Sequence, residues 1–283
     1  MIIIDANSIL YRSFHGIPEM NRKDGLPTNA LYGLARQLLK IRKMWPDEYH
    51  VVVFDHPGGS FREKIFPAYK ADRTRPEAYT PQAREARKLA IDLGFPVFEQ
   101  PGYEADDTIA HLVALWLQTT QPDDGSFVRI VTGDKDMLQL VNDDRNILVY
   151  DPWADENRGV DACIKKFGVT PDKVPLVQAL MGDGVDGIPG VPGIGPKKAA
   201  ALINEYGSLE AILRAARTQP KGVMWANIRT VGEDLLMFYQ LALLTIATPL
   251  TVQKVLDTID AVVYDRDTAQ AALDRYEFDS LSL

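Results

Sequence analysis

Four apolar runs, at residues 2–4, 51–54, 96–98 and 128–131, are continuous rather than alternating. Continuous runs suit strands buried on both faces of a parallel sheet. Between them lie helical patterns. Leu31, Leu34, Leu38 and Ile41 repeat at helical spacing, as do Ile109, Leu112, Val113 and Leu117. Strand and helix therefore alternate to about residue 150, which predicts an α/β fold: a mostly parallel central sheet flanked by helices. Beyond that point the pattern turns helical, through DACIKKFGV and PDKVPLVQALMG to VGEDLLMFYQLALLTIA. The division expected is a core over residues 1–170 and a helical region over residues 171–283.

The bulk numbers narrow the class. Over 283 residues the chain is 46% hydrophobic and 25% charged, as a water-soluble globular protein is. No apolar run approaches the roughly 20 residues that cross a bilayer, and Asp5 breaks the opening MIII, so neither a membrane span nor a secretory leader is expected. The single cysteine, Cys163, excludes an internal disulfide and a Cys-rich zinc site. A cytoplasmic protein is the reading.

Three of the runs lead into acids: IIID at Asp5, VVVFD at Asp55, and RIVTGDKD at Asp134 and Asp136. Parallel strands place all their carboxyl ends on one edge of the sheet, where ligands bind in open α/β folds. One such Asp is an ordinary turn former or helix cap; three in succession are not. GYEADD adds Glu104, Asp106 and Asp107. Glu104 and Asp106 face opposite sides of a regular helix, so they converge only if Glu104 lies in the extended entry and Asp106 in the first turn. MGDGVDG adds Asp183 and Asp186. Carboxylates so crowded stay ionised only with a cation between them, and Lys135 is the one basic residue inside the clusters. An all-oxygen ligand set points to Mg²⁺ or Mn²⁺. Two adjacent ions on carboxylates suit phosphodiester hydrolysis, with one activating water and both stabilising charge. The net charge of −8 is carried by these acids; without them the chain is within one charge of neutral and tolerates a polyanion.

Two segments read as phosphate-binding. IPGVPGIGPKKAA forces a glycine hairpin through Gly190, Gly193 and Gly195 and then opens a helix carrying Lys197 and Lys198. Exposed backbone N–H groups at a helix start, with two lysines, attract phosphate irrespective of base sequence. Residues 61–75 interleave Arg62, Lys64, Lys70, Arg73 and Arg75 with Phe61, Phe66 and Tyr69, as single-strand binders do. Arg12 and Arg22 lie near the first strand to assist. Residues 57–81, rich in Gly, Pro and Arg, read as a mobile excursion that a partner orders.

The motifs DANSILYRSFH, VVVFD, FREKIFPAYKADR, GYEADD, VTGDKDMLQLV and MGDGVDGIPGVPGIGPKKAA, in this order over residues 5 to about 212, resemble the 5′-nuclease domain of bacterial DNA polymerase I and the related phage and flap endonucleases. The resemblance implies a helical arch over residues 57–92 and a helix–hairpin–helix type element over about residues 176–213 that grips duplex DNA. It implies that Asp5, Asp55, Glu104, Asp106, Asp107, Asp134, Asp136, Asp183 and Asp186 bind metal, with Asp106 and Asp134 central to catalysis. Arg62, Tyr69, Lys70 and Arg73 match the base of the arch, where Lys70 and Arg73 steer and polarise the scissile phosphate. A K⁺ ion on the carbonyls of Val191 and Ile194 is implied at the hairpin. The substrates implied are DNA flaps, nicks or free 5′ ends, including RNA–DNA junctions, in replication or repair.

The same resemblance implies a monomer associated with a DNA polymerase at the nucleoid of a bacterium, or encoded by its phage. One departure stands out: Gly184, Val185 and Gly187 replace the family's Ser, Ser and Asn, removing polar groups beside Asp183 and Asp186. No polymerase sequence follows Leu283, so a free-standing nuclease or an excised domain is expected. The rival readings are a PIN-type ribonuclease, a catalytically weak binder of branched DNA, and a phosphatase with Asp55 as nucleophile. The last lacks a second Asp two residues beyond Asp55.

Overall fold

The sequence alternation becomes a six-stranded sheet in the computed structural model, which describes residues 1–121, 124–218 and 221–283. The strands are β1 (Ile2–Asp5), β2 (His50–Val53), β3 (Val97–Phe98), β4 (Val128–Val131), β5 (Ile147–Asp151) and β6 (Glu156–Arg158). Their order is β3-β2-β1-β4-β5-β6; all pairs are parallel except β5–β6. From β1 the chain winds outward on one side to β2 and β3 and later on the other to β4. The switch point therefore falls between β1 and β4, and a crevice opens at their carboxyl ends.

Alternate residues of the buried strands feed two separate cores. Ile2, Ile4, Val52 and Val131 pack with α1 (Ala6–Gly16), α2 (Asn29–Met44) and, beyond the short α3 (Phe61–Ile65), α4 (Tyr79–Asp92). Ile3, Val51, Val53, Val128 and Ile130 pack with α5 (Ala105–Thr119), α6 (Val160–Phe167), α7 (Val174–Met181), α8 (Pro196–Tyr206) and the helices that follow. Each fully buried Ile or Val contributes about 1.5–3 kcal/mol of hydrophobic stabilisation. The later helices are α9 (Leu209–Thr218), α10 (Val223–Val231), α11 (Asp234–Ala242), α12 (Val252–Asp260) and α13 (Arg266–Arg275). Helix α13 returns to the first core through Ala269, Ala272 and Leu273. No helix among the described residues is long and apolar enough to cross a membrane.

Two strands went unread in the sequence. ILVYD of β5 carries the same continuous apolar signal as its neighbours, opened by Asn146 in the left-handed region at φ 51°. The polar ENR of β6 carries none, because it is a short antiparallel edge strand. Residues 61–70 are not the free excursion expected. Arg62 and Tyr69 are 1% and 3% exposed, and the Lys70 N–H donates to the Asp186 carbonyl at 3.0 Å. Ala71 to Arg75 form the longest uninterrupted exposed stretch between β2 and α4.

Candidate metal and nucleic-acid site

The crevice at the switch point is a cleft of about 910 Å³. Its lining includes Asp5, Asp55, Glu104, Asp106, Asp134, Asp136, Asp183 and Asp186, contributed by strand ends, the start of α5 and the loop after α7. The backbone supplies the convergence. Asp5 ends β1 and caps α1, its Oδ1 accepting the Ser8 N–H at 3.0 Å. Its Oδ2 accepts the Thr132 hydroxyl at 2.7 Å, which ties the end of β1 to the end of β4. Asp134 caps a 3-10 turn (Lys135–Leu140), accepting the Asp136 N–H at 2.9 Å. Asp55 accepts the Ala105 N–H at 2.9 Å and so holds the start of α5 beside β2. Glu104 is the extended N-cap of α5 and Asp106 sits in its first turn, the arrangement their convergence required.

The electrostatics divide the acids into two groups. Burial, with Asp134 and Asp55 nearby, pushes the Asp5 carboxyl up to about 7 despite the bonds from Ser8 and Thr132. Burial and the charges of Asp134 and Asp5 also raise Asp106, and burial with Asp134 pushes Asp136 up to about 7 against the pull of Lys135. Other carboxylates are neutralised. Burial opposes ionisation of Glu104, yet Lys70 and Arg62 hold its carboxyl below the usual range. Lys135 does the same for Asp183.

Lys70 joins Lys135 among the acids, which corrects the reading of Lys135 as the one basic residue inside the clusters. The Lys70 ammonium lies 2.8 Å from Glu104 Oε1 and 3.6 Å from Asp186 Oδ2. That of Lys135 lies 2.7 Å from Asp183 Oδ2 and 3.5 Å from Asp136 Oδ1. Among the described residues no three His, Cys, Asp or Glu side chains stand close enough together to grip one ion as they are. The donor chemistry nonetheless fits a hard divalent cation: every acidic donor is an oxygen, the cleft is open, and Asp5, Asp106 and Asp136 carry raised carboxyls that a cation relieves.

Four residues leave the expected set. Asp107 is fully buried, points away from the cleft, and forms a bidentate pair with Arg62 at 2.6 and 2.8 Å. Arg62 also donates to the Leu241 and Leu243 carbonyls, so neither is free for metal or DNA. Tyr69 is buried rather than presented for stacking: its hydroxyl donates to Glu104 at 2.9 Å and meets Asp186 at 3.1 Å. Gly190 packs the hairpin rather than facing solvent, since a Cβ there would lie 2.3 Å from the Gly182 nitrogen.

Lys70 and Arg73 line the cleft, as does Arg12, whose guanidinium lies 4.4 Å from the Trp153 ring centroid. Lys70 holds φ at +52°, an uncommon conformation for a lysine, which aims its side chain at the acids. At the hairpin Gly193, Gly195, Lys197 and Lys198 are exposed, while the Val191 carbonyl accepts the Ile194 N–H at 3.0 Å. The Lys198 ammonium reaches the Gly193 carbonyl at 3.0 Å. Arg75, read with the basic segment, also lies on the cleft walls. Residues missed from the sequence include Tyr79, Arg158, Lys165 and Lys166 on those walls, and Gln178, which donates to Asp136 at 2.8 Å. Only the IKKFG lysines carried a readable signal, a basic pair closing an amphipathic helix.

Comparison with known proteins agrees with this architecture. Residues 1–168 match the model of the 5′-3′ exonuclease N-terminal resolvase-like domain, and residues 169–266 match that of the 5′-3′ exonuclease C-terminal SAM fold. A 5′-3′ exonuclease of Aquifex aeolicus is 44% identical over 218 residues, covering 76% of this chain and 72% of that one. DNA polymerase I of Caldicellulosiruptor bescii is 34% identical over 99% of this chain, which spans 33% of the polymerase.

Among solved structures, the T5 D15 protein co-crystallised with metal ions superposes with a TM-score of 0.71 at 22% identity, covering 96% of this chain and 98% of that one. Flap endonuclease-1 of Methanococcus jannaschii does so with a TM-score of 0.55 at 14% identity, covering 99% and 92%. These two structures share the fold. With two family models meeting end to end over most of its length and a close relative of comparable size, the chain belongs to the 5′-3′ exonuclease family of nucleases.

Proposed function

We propose that this chain is a Mg²⁺- or Mn²⁺-dependent, structure-selective 5′ nuclease that hydrolyses DNA phosphodiesters near 5′ flaps, nicks or free 5′ ends. The observation that carries the reading is the meeting of eight carboxylates with Lys70 and Arg73 in one cleft at the β1–β4 switch point. Acids alone repel a phosphate, and basic residues alone bind one without cleaving it. Both together in one cleft suit a charge-neutralised reaction centre.

Asp5, Asp106 and Asp134 would hold one ion; Asp136, Asp183 and Asp186 would hold a second. Such ions supply Lewis-acid stabilisation of the charge that builds on the attacking and leaving oxygens. The protein's own groups do the rest. Lys70, held by its backbone bond to Asp186, and Arg73, on the exposed turn before α4, draw the scissile phosphate into the cleft. Arg75, 3.9 Å from Asp55, extends that wall. The hairpin at Gly193, Gly195, Lys197 and Lys198 would fasten the duplex by its backbone, without regard to sequence. D15 of T5 is described in complex with DNA and metal ions, and the catalytic core of Rad2 with DNA substrate, which supports reading the cleft as a nucleic-acid site.

The test is a 5′-labelled flap duplex incubated with the chain in Mg²⁺, in Mn²⁺ and in EDTA. Short labelled products in either metal and none in EDTA are expected. An RNA flap in parallel separates this reading from a ribonuclease. Metal-independent products, or none at any metal concentration, overturn it.

A further inference from the structure

Two lysine ammoniums stand among the carboxylates, and they differ in freedom. Lys70 is 20% exposed at its side chain and anchored by the backbone bond to Asp186. Lys135 is 36% exposed and lies on the open cleft wall, so its stem can swing into solvent. The backbone at its position does not favour a cation. It is the first residue of the 3-10 turn capped by Asp134, where the exposed N–H groups already disfavour a cation. What holds its charge there is Asp183 Oδ2, reaching in from the loop after α7, together with Asp136 Oδ1 of the next residue along the chain.

Asp183 is correspondingly committed. Its Oδ1 accepts the Val185 N–H at 2.9 Å and its Oδ2 accepts Lys135. On the other side of the cleft, Asp5 and Asp106 have no ion-pair partner among the described residues within 4.0 Å.

We propose that Lys135 is a displaceable counter-ion: a divalent cation must expel its ammonium from between Asp136 and Asp183. This half of the cleft then fills only at higher metal concentration than the Asp5–Asp106–Asp134 half. The proposal rests on the metal-dependent nuclease reading and deepens it, because one side chain sets how the second ion competes. It also gives the altered loop a role. Gly184, Val185 and Gly187 bring no side-chain hydroxyl or amide to Asp183, so Lys135 is its one side-chain partner among the described residues.

The test uses the full chain and Mn²⁺ alone, with free Mn²⁺ followed by electron paramagnetic resonance and melting followed in parallel. The wild-type chain should take up Mn²⁺ in a tight and a weak class. In Lys135→Met and Lys135→Gln the weak class should tighten about tenfold, the scale of removing one like charge a few ångström away in a partly solvated site, while the tight class holds. Both variants should melt lower than wild type in EDTA and gain more from Mn²⁺. Lys135→Arg should keep the weak class weak. Folded variants whose weak class is unchanged or weaker would make Lys135 a plain structural ion pair and overturn the proposal alone. A wild-type chain that takes up no Mn²⁺ would overturn it together with the metal reading.

Discussion

Arg62 and Asp107 form a bidentate ion pair, at 2.6 and 2.8 Å, with both side chains out of contact with solvent. The pair joins three distant parts of the chain. Arg62 donates to the Leu241 and Leu243 carbonyls, and Asp107 accepts the Thr245 N–H at 3.0 Å. It also stands behind the cleft, since Arg62 reaches Glu104 Oε2 at 3.2 Å. The base of the basic segment, the start of α5 and the strap after α11 are thereby locked together.

Arg62→Ala is expected to cost about 3–5 kcal/mol of stability, because it leaves a buried carboxylate and two carbonyls unpaired. Arg62→Lys should recover little, having no planar fork for Asp107 and the carbonyls together. Chemical denaturation of the metal-free chain measures both. A loss under about 1 kcal/mol in Arg62→Ala, the scale of an exposed pair, would show this one to be dispensable.

Asp134→Asn keeps the cap on the Asp136 N–H through its amide oxygen but removes a charge from the cleft. Cleavage should fall by about a hundredfold or more, the scale on which a preorganised electrostatic group contributes. DNA affinity, measured in Ca²⁺, should be retained. Near wild-type cleavage at saturating Mg²⁺ would sink the assignment.

Lys70→Ala removes the ammonium that lies 2.8 Å from Glu104. Single-turnover cleavage is expected to drop by about tenfold to a hundredfold, with a smaller change in DNA affinity, since Arg73, Lys197 and Lys198 remain to meet phosphates. An unchanged single-turnover rate is the contrary outcome.

The metal-free chain should lose stability as pH rises. Asp5 and Asp136 have carboxyls at about 7 in the folded chain against 3.8 in the unfolded one. Between these values the folded state binds more protons, so their contribution is complete below about pH 4 and disappears as pH climbs through about 7. Melting in EDTA from about pH 5 to 8 should show this decline, and Mn²⁺ should offset it most at the alkaline end. A melting temperature that rises across the window in EDTA would contradict the burial of these carboxylates.

At the hairpin, Lys197→Ala and Lys198→Ala should weaken binding to any duplex sequence alike. Each lysine that neutralises a phosphate adds about 0.9 to the steepness of log affinity against log salt, and its removal should make the dependence shallower by that amount. Weakening confined to some sequences would mean that the hairpin reads bases.

Continuous apolar runs and the acids that close them were enough to fix the α/β class, the parallel strands β1 to β4 and the rim on which eight of nine acids meet. This is local information: burial on both faces requires an unbroken apolar strand, and parallel pairing puts all the carboxyl ends on one side. Asp107 and Arg62 were misread because a buried ion pair and a solvent-facing charge look identical in one dimension. Tyr69 and Gly190 failed for the same reason, their surroundings arriving from residues more than a hundred positions away or from the preceding helix end. The sequence by itself determined which edge of the sheet would be acidic. Only the tertiary structure decided which acids face the cleft and which lysines neutralise them, since charge pairing depends on distances that chain spacing does not set.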